Sequence, residues 1–359
     1  MKNRGILHAA PARRCVVIDL RSDTVTLPTP AMRKAMYEAE LGDDVLGEDP
    51  TVKRLEEMAA ERLGHEAGLL VTSGTQGNLV CLLTNTRRGD AVICTDQAHI
   101  YHYEVGGASV VGGLIYKPLP SHRGMFDLGE LEAAIPAENV HVPRVGLIAL
   151  ENTQNRDGGI ALTPEQQDTV IAVARKHNIP THLDGARVFN ASVALGIDVK
   201  RLTQSFTSVT FCLSKGLAAP VGSVVCGSKT FIAEARRYRK MLGGGMRQAG
   251  VIAAAGIVAL TEMVNRLADD HANARLLAEA IAETPGLSID LSTVQTNIVV
   301  FQIVRAGLTP TEFLARLKRD GVLMGPFPGT TKIRATTHYG IERGDAEKAI
   351  AAIRRAMAG

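Results

Sequence analysis

Ser208-Val209-Thr210-Phe211-Cys212-Leu213-Ser214-Lys215-Gly216 is a β-rich, largely apolar run that stops at a lysine followed by a glycine. A strand buried on both faces reads this way, without polar alternation. A lysine at its C-terminal end would be partly desolvated, which favours the neutral amine that imine formation needs. Taken alone, a surface lysine at a strand end is the commoner reading, so the surroundings decide.

Thirty-one positions earlier, Thr181-His182-Leu183-Asp184-Gly185-Ala186-Arg187 ends a second apolar strand in a carboxylate. An isolated Asp-Gly is usually a turn. Placed beside the lysine strand, however, Asp184 could pair with a protonated ring nitrogen and make that ring an electron sink. Further upstream, Thr72-Ser73-Gly74-Thr75-Gln76-Gly77-Asn78 joins a strand to the helical run 79–86. Small and hydroxylated residues at a helix start leave free N–H groups that suit a phosphate, although a simple helix cap would explain Ser and Thr equally well. Cradle, acid and lysine all fall at C-terminal strand ends, where open α/β sheets bind ligands.

The wider pattern agrees. Apolar runs 69–72, 91–95, 145–150, 179–183, 208–213 and 223–226 alternate with helical stretches such as 164–176, which predicts an α/β fold with a mostly parallel sheet covered by helices. Beyond residue 250 the order is a long helix, strand 297–303, helix 309–319, strand 332–337 and helix 345–357, read as a small C-terminal α+β domain. The expected layout is an extension at 1–16, a large domain at 17–250 and a small domain at 251–359.

Bulk properties narrow the function classes. The 359 residues carry a net charge of only +3, aromatics are 4% and Trp is absent, so neither a basic groove nor a stacking platform for nucleic acid is expected. The apolar stretch around 250–260 is too short to span a bilayer. Cys15, Cys81, Cys94, Cys212 and Cys226 are odd in number and scattered, as in buried thiols of a reducing cytoplasm.

Taken together these motifs resemble the L-threonine aldolases, pyridoxal-phosphate enzymes of the aspartate-aminotransferase-like fold (fold type I). The resemblance runs from about residue 17 to the C-terminus, through 18–26, Gly42-Asp43-Asp44-Val45, 47–51, Ala98-His99, Glu151-Asn152-Thr153, 182–187, 214–217 and 243–248. It implies a large domain with a seven-stranded sheet, Lys215 as the Schiff-base lysine with Ser214 beside it, and Asp184 on the pyridine nitrogen. It further implies Gly74 and Thr75 on the phosphate, His99 stacked on the ring, and Arg334 gripping the substrate carboxylate with help from Ser22 and Arg187. Lys240 and Arg247 match basic residues that reach the phosphate, expected to be that of a neighbouring subunit. His141 matches a position near the substrate hydroxyl. His99, then His141, are the candidate bases, and no metal is assigned.

The implied reaction is retro-aldol cleavage of L-threonine, L-allo-threonine or a related β-hydroxy-α-amino acid to glycine and an aldehyde. The implied assembly is a homotetramer of dimers with shared sites. β-Elimination, transamination and racemisation remain as alternatives on the same cofactor. Two departures stand near the expected site: Leu46 replaces a tyrosine and Gln154 a histidine. Leu46 would make the site less polar and suit a substrate such as phenylserine.

Overall fold

Seven apolar segments pair into one sheet in the order Ala67–Val71, Ser223–Gly227, Ser208–Cys212, Thr181–Asp184, Val145–Glu151, Ala91–Thr95 and Ile115–Leu119. The computed structural model describes residues 17–137, 139–327 and 330–358; the expected extension, with Cys15, lies outside them. Only Ser223–Gly227 runs antiparallel to its two neighbours, so the sheet is mostly parallel as expected. Register brings Glu151 opposite Asp184 and Asp184 opposite Thr210, so three adjacent strands end together on one edge.

Ile115–Leu119 gives a weak sequence signal because it contains Tyr116, Lys117 and Pro118. It can be a strand because it sits at the sheet edge, where a missing N–H breaks no interior ladder.

Helix Gly74–Asn85 lies directly on the strand that leads to Lys215. Ser73 caps it, its side chain accepting from the Gln76 N–H. Two glycines permit the approach: a Cβ on Gly77 would stand 2.6 Å from Thr210 Cγ2, and one on Gly74 2.8 Å from Cys212 Sγ. Gly77→Ala should therefore overpack this contact and cost about 1–3 kcal/mol, a loss that denaturant unfolding would register; unchanged stability would mean the helix can shift freely.

The smaller lobe contains the sheet Gly325–Pro326, Lys332–Thr336, Ile298–Ile303 and Leu287–Ser288, with helices Leu267–Ala282, Pro310–Arg319 and Arg343–Ala358. Packing shifts both expected boundaries. Helix Gly250–Val258 lies against helices Pro30–Tyr37 and Pro50–Leu63 of the large lobe, and Ala253, Leu260, Met263 and Leu267 share the large core. A π turn at Ala259–Met263 then precedes Leu267–Ala282, whose Ala274, Leu277 and Ile281 belong to the small core. The lobes thus divide near Leu267. Strand Ile18–Asp19 pairs in parallel with Val322–Leu323, and Ile18 and Leu20 are buried in the small core, so the start of the described chain belongs to that lobe.

Among the described residues no single helix is long and apolar enough to cross a membrane. The cysteines at 81, 94, 212 and 226 are buried free thiols, and burial pushes Cys81 and Cys94 up to about 12.

Candidate active site

A cleft of about 280 Å³ opens where the strand ends meet the small lobe, lined by Ser22, Thr24, His99, Tyr103, Asn155, Arg187, Lys215, Pro326 and Arg334. Five of these, Ser22, His99, Arg187, Lys215 and Arg334, are the ones the sequence motifs single out, and they come from both ends of the chain. Lys215 is half-buried, three residues beyond strand Ser208–Cys212. Its carbonyl accepts from the Ala218 N–H at 2.8 Å, closing a turn in which Ala218 is buried at φ +62°. A non-glycine residue there carries roughly 1–2 kcal/mol of backbone strain, which the surrounding core sustains.

Asp184 is buried at the end of its strand; Oδ1 accepts from the Ala186 N–H at 3.1 Å and Oδ2 from Asn78 Nδ2 at 2.8 Å. Asn78 Nδ2 also donates to Glu104 Oε1 at 2.7 Å, so one amide bridges two carboxylates. With both N–H bonds given to acids, Asn78 Oδ1 must accept, and its partner is His182 Nε2 at 3.1 Å. His182 therefore carries its proton on Nε2 and accepts at Nδ1 from Ser208 Oγ, 3.0 Å away. Burial lowers the His182 pKa to about 4, consistent with a neutral ring. Satisfied chains of this kind hold their members in one orientation.

His99 stands at the other end of the network. Its backbone N–H donates to Glu151 Oε2 at 2.7 Å, and Nδ1 lies 2.8 Å from Glu104 Oε1. Burial disfavours the imidazolium, but the Glu104 hydrogen bond and the charges of Asp184, Glu104 and Glu151 outweigh it and raise the His99 pKa above its ordinary value. Burial and the neighbouring Asp184 charge raise Glu151 in turn. Ligand atoms of His99, Glu104 and Asp184 lie within 4.8 Å of one another, a set that could also hold a metal ion. Asn78 Nδ2 already bridges its two carboxylates.

At the phosphate cradle, neither the Gly74 nor the Thr75 N–H donates to an acceptor among the described residues. Ser223 Oγ, buried without a partner, lies beside Gly74. Free donors at the start of a 12-residue helix fit a phosphate group, and Lys215 and Asp184 flank the same strand ends. The donor set fits pyridoxal phosphate as a whole.

On the small-lobe side, Arg334 Nη1 donates to Asn155 Oδ1 at 3.2 Å and Nη2 to the Arg21 carbonyl at 3.3 Å. Among the described residues no carboxylate lies within 4.0 Å of it. Burial and the nearby Arg187 charge lower its pKa. Arg187 differs: its fork is held by Asp23, with Nε and Nη2 each 2.7 Å from a carboxylate oxygen, and both residues are buried. That pair leaves only Nη1 facing Asn155, at 3.4 Å. Arg187 nevertheless lines the cleft, and two of its five N–H donors have no partner among the described residues.

Other expected residues fall elsewhere. His141 is exposed in the loop before Val145, the first residue of its strand, whereas the cleft gathers beyond Glu151, the last. Seven strand residues span roughly 20 Å, so His141 does not reach the cleft of its own chain. Ser214 is half-buried beside Lys215. Lys240 and Arg247 are exposed and outside the cleft; Arg247 Nη1 pairs with Asp43 Oδ2 at 2.9 Å. Nearby, Gly244 lies so close to the Gln76 amide that a Cβ would overlap it. Leu46 is exposed in a short 3-10 turn and does not line the cleft. Gln154 is fully buried and structural: its Oε1 accepts from the Arg156 and Asp157 N–H groups, and Nε2 reaches the Gln97 carbonyl at 3.0 Å.

The sequence motifs assign no role to Asn78, Glu104, Tyr103, Asn155 or Asp23. Asn78 sits one helical turn after Gly74, a spacing that a helix would stack on one face. Asp23 falls inside the matching segment 18–26 but has no role assigned there, and no motif reaches Glu104.

Residues 19–304 match the family model described as beta-eliminating lyase. The chain is 48% identical to the probable low-specificity L-threonine aldolase 2 of Arabidopsis thaliana over 335 residues, 92% of this chain and 94% of the relative. It is 43% identical to the low specificity L-threonine aldolase of Escherichia coli K12, with 91% and 95% covered. Among solved structures, Leishmania major threonine aldolase superposes with a TM-score of 0.80 at 19% identity, covering 95% of this chain and 99% of that one. An SPT solved with PLP superposes with a TM-score of 0.73 at 16% identity, covering 95% and 87%.

Proposed function

Because the chain belongs to the beta-eliminating lyase family, we propose that it is a pyridoxal-phosphate lyase that cleaves L-threonine, L-allo-threonine or a related L-β-hydroxy-α-amino acid to glycine and an aldehyde. One observation carries this reading: Arg334, half-buried and without a carboxylate partner among the described residues, shares one cleft with Lys215. An α-amino acid presents a carboxylate, and a planar guanidinium fork binds it with two parallel hydrogen bonds.

Pyridoxal phosphate, when bound, supplies the electron sink that lets the Cα–Cβ bond break. Lys215 would hold it covalently, Asp184 would meet its ring nitrogen, and the Gly74 and Thr75 N–H groups would hold its phosphate. Arg334 orients the amino acid by its carboxylate, with Ser22 and Arg187 as helpers on the cleft wall. His99 gives Nδ1–H to Glu104, which leaves Nε2 to accept the hydroxyl proton. Tyr103 and Pro326 form an apolar wall that suits an aryl substituent as well as a methyl. Assay of the purified protein with L-threonine, L-allo-threonine and L-phenylserine should yield glycine and the matching aldehyde. Ammonia and a keto acid, or racemised substrate, would instead mark a β-elimination or racemisation.

A pH profile tests the base. His99 accepts a proton only when neutral, and its pKa is raised above 6.5. The acid limb of kcat/KM should therefore lie above that value. Glu104→Gln removes a charge that favours the imidazolium, so the limb should move to lower pH; a limb that stays in place would rule out His99.

The assembly proposed is a homotetramer. Support comes from Tyr37, Leu46 and Met241, apolar residues 92%, 68% and 62% exposed, and from Lys240 and Arg247, which lie outside the cleft of their own chain. His141 would likewise act only in a neighbour's site. Light scattering should give four times the chain mass of 38.3 kDa. The buried, unpaired thiols support a reducing cytoplasm as the compartment.

A further inference from the structure

A second cavity, of about 330 Å³, lies between the lobes, with Arg123, Arg156 and Asp157 on one wall and Asp290, Gln302 and Lys332 on the other. Among the described residues it shares no lining residue with the substrate cleft. We propose that this cavity is an anion site that takes a small oxyanion, a phosphate or a dicarboxylate, on Arg123, Arg156 and Lys332.

Charge makes the first argument. The three cations face two carboxylates, and both carboxylates are engaged locally. Asp157 Oδ2 accepts from Ser121 Oγ at 2.6 Å and the Gly124 N–H at 2.8 Å. Asp290 Oδ1 accepts from the Ser292 N–H at 2.9 Å and Ser292 Oγ at 2.6 Å. Among the described residues, none of the three cations comes within 4.0 Å of a carboxylate oxygen. Arg123 Nη2 instead meets the Ser292 carbonyl at 3.0 Å and its Oγ at 3.2 Å, a neutral partner across the lobe boundary.

Preorganisation makes the second. Arg156 Nε donates to Gln97 Oε1 at 2.9 Å and Nη1 to Tyr103 Oη at 2.6 Å. Its guanidinium carbon lies 5.6 Å from the Tyr103 ring centroid and 5.5 Å from that of Phe327. A guanidinium has five N–H donors, so three remain on a fork already fixed in place. Fixed donors give up little side-chain freedom when a ligand binds. Arg123 is itself held at φ +55°, a conformation that side-chain-bearing residues rarely adopt.

Position makes the third. Lys332 and Arg334 are alternate residues of strand Lys332–Thr336 and so project from the same face. One lines this cavity and the other the substrate cleft. On the opposite wall, Arg156 touches Tyr103, whose ring lies tilted against the His99 ring at 5.3 Å and lines the cleft. An oxyanion held here would bridge the lobes and contact both routes to the cleft.

The inference is independent of which reaction the cleft performs. Calorimetric titration of the holoenzyme at constant ionic strength, with glycine saturating the Arg334 side, should show one saturable equivalent of inorganic phosphate or malonate per chain. Whichever probe binds more tightly identifies the oxyanion class. Lys332→Met and Arg123→Gln should each weaken binding about tenfold or more, as expected for a charge-assisted hydrogen bond. Cofactor absorbance and thermal midpoint should match wild type in each. Absence of saturable binding by both probes, or binding that survives both substitutions, overturns the proposal. Whether glycine perturbs the cofactor absorbance reports separately on the proposed reaction.

Discussion

Lys215→Ala should abolish the yellow absorbance that borohydride bleaches onto the wild-type chain and reduce glycine release by at least about 10²–10⁴-fold, the range that loss of a positioned proton-transfer group alone produces. The covalent attachment is lost as well, so the upper part of that range is expected. Lys215 is half-buried at the end of a strand, in a turn closed by the Ala218 N–H, and among the described residues no other lysine lines the cleft. The fold should survive, because the side chain forms no hydrogen bond or ion pair among the described residues. Retention of a bleachable band in the variant would move the attachment to another lysine and remove the basis of the proposed chemistry.

The second large effect is expected at Asp184. Asp184→Asn keeps the shape but removes the charge that would hold a ring nitrogen protonated. Loss of one preorganised electrostatic partner in a buried site lowers kcat by roughly 10²–10³-fold. A second consequence follows from the hydrogen bonds. Asn78 gives both its N–H bonds to Asp184 and Glu104, with Oδ1 already accepting from His182. An amide at position 184 must turn its oxygen towards Asn78, leaving its own NH₂ near the backbone N–H of Ala186 or aimed into the cleft. Cofactor retention through dialysis should fall together with kcat. Activity within a few-fold of wild type would show that Asp184 does not act on the ring.

How legible each feature is depends on the distance over which it is encoded. Strand Ser208–Cys212, helix Pro164–Lys176 and the cap at Ser73 are local: apolar runs, a Thr163 capping box and a Ser side chain specify them within a few residues. Lys215, Asp184 and the Gly74 cradle can be read because each sits at a strand end, and parallel strands collect their C-terminal ends on one edge. Arg334 is recognisable only through its motif, since the strand bearing it has no local sign of facing a cleft in the other lobe.

Other features escape because their partners are remote in sequence. Asp23 meets Arg187 across 164 positions, and Asn78 meets Asp184 across 106. The lobe boundary expected near residue 250 falls too early, since an Ala- and Gly-rich helix at Gly250–Val258 gives no indication of which core will take it. The resemblance implies a place for His141 near the substrate hydroxyl, yet it lies at the far end of the sheet within its own chain. Fold class, the order of the strand-end chemistry and the family are all written in the chain itself, because periodicity and motif spacing are properties of short segments. Which distant residues close into contact is a property of the folded molecule: Asp23 neutralises Arg187 while Arg334 has no carboxylate partner among the described residues, and Glu104 orients His99. Burial makes those pairings selective, since a charge removed from water must find a partner in the fold or wait for one in the substrate.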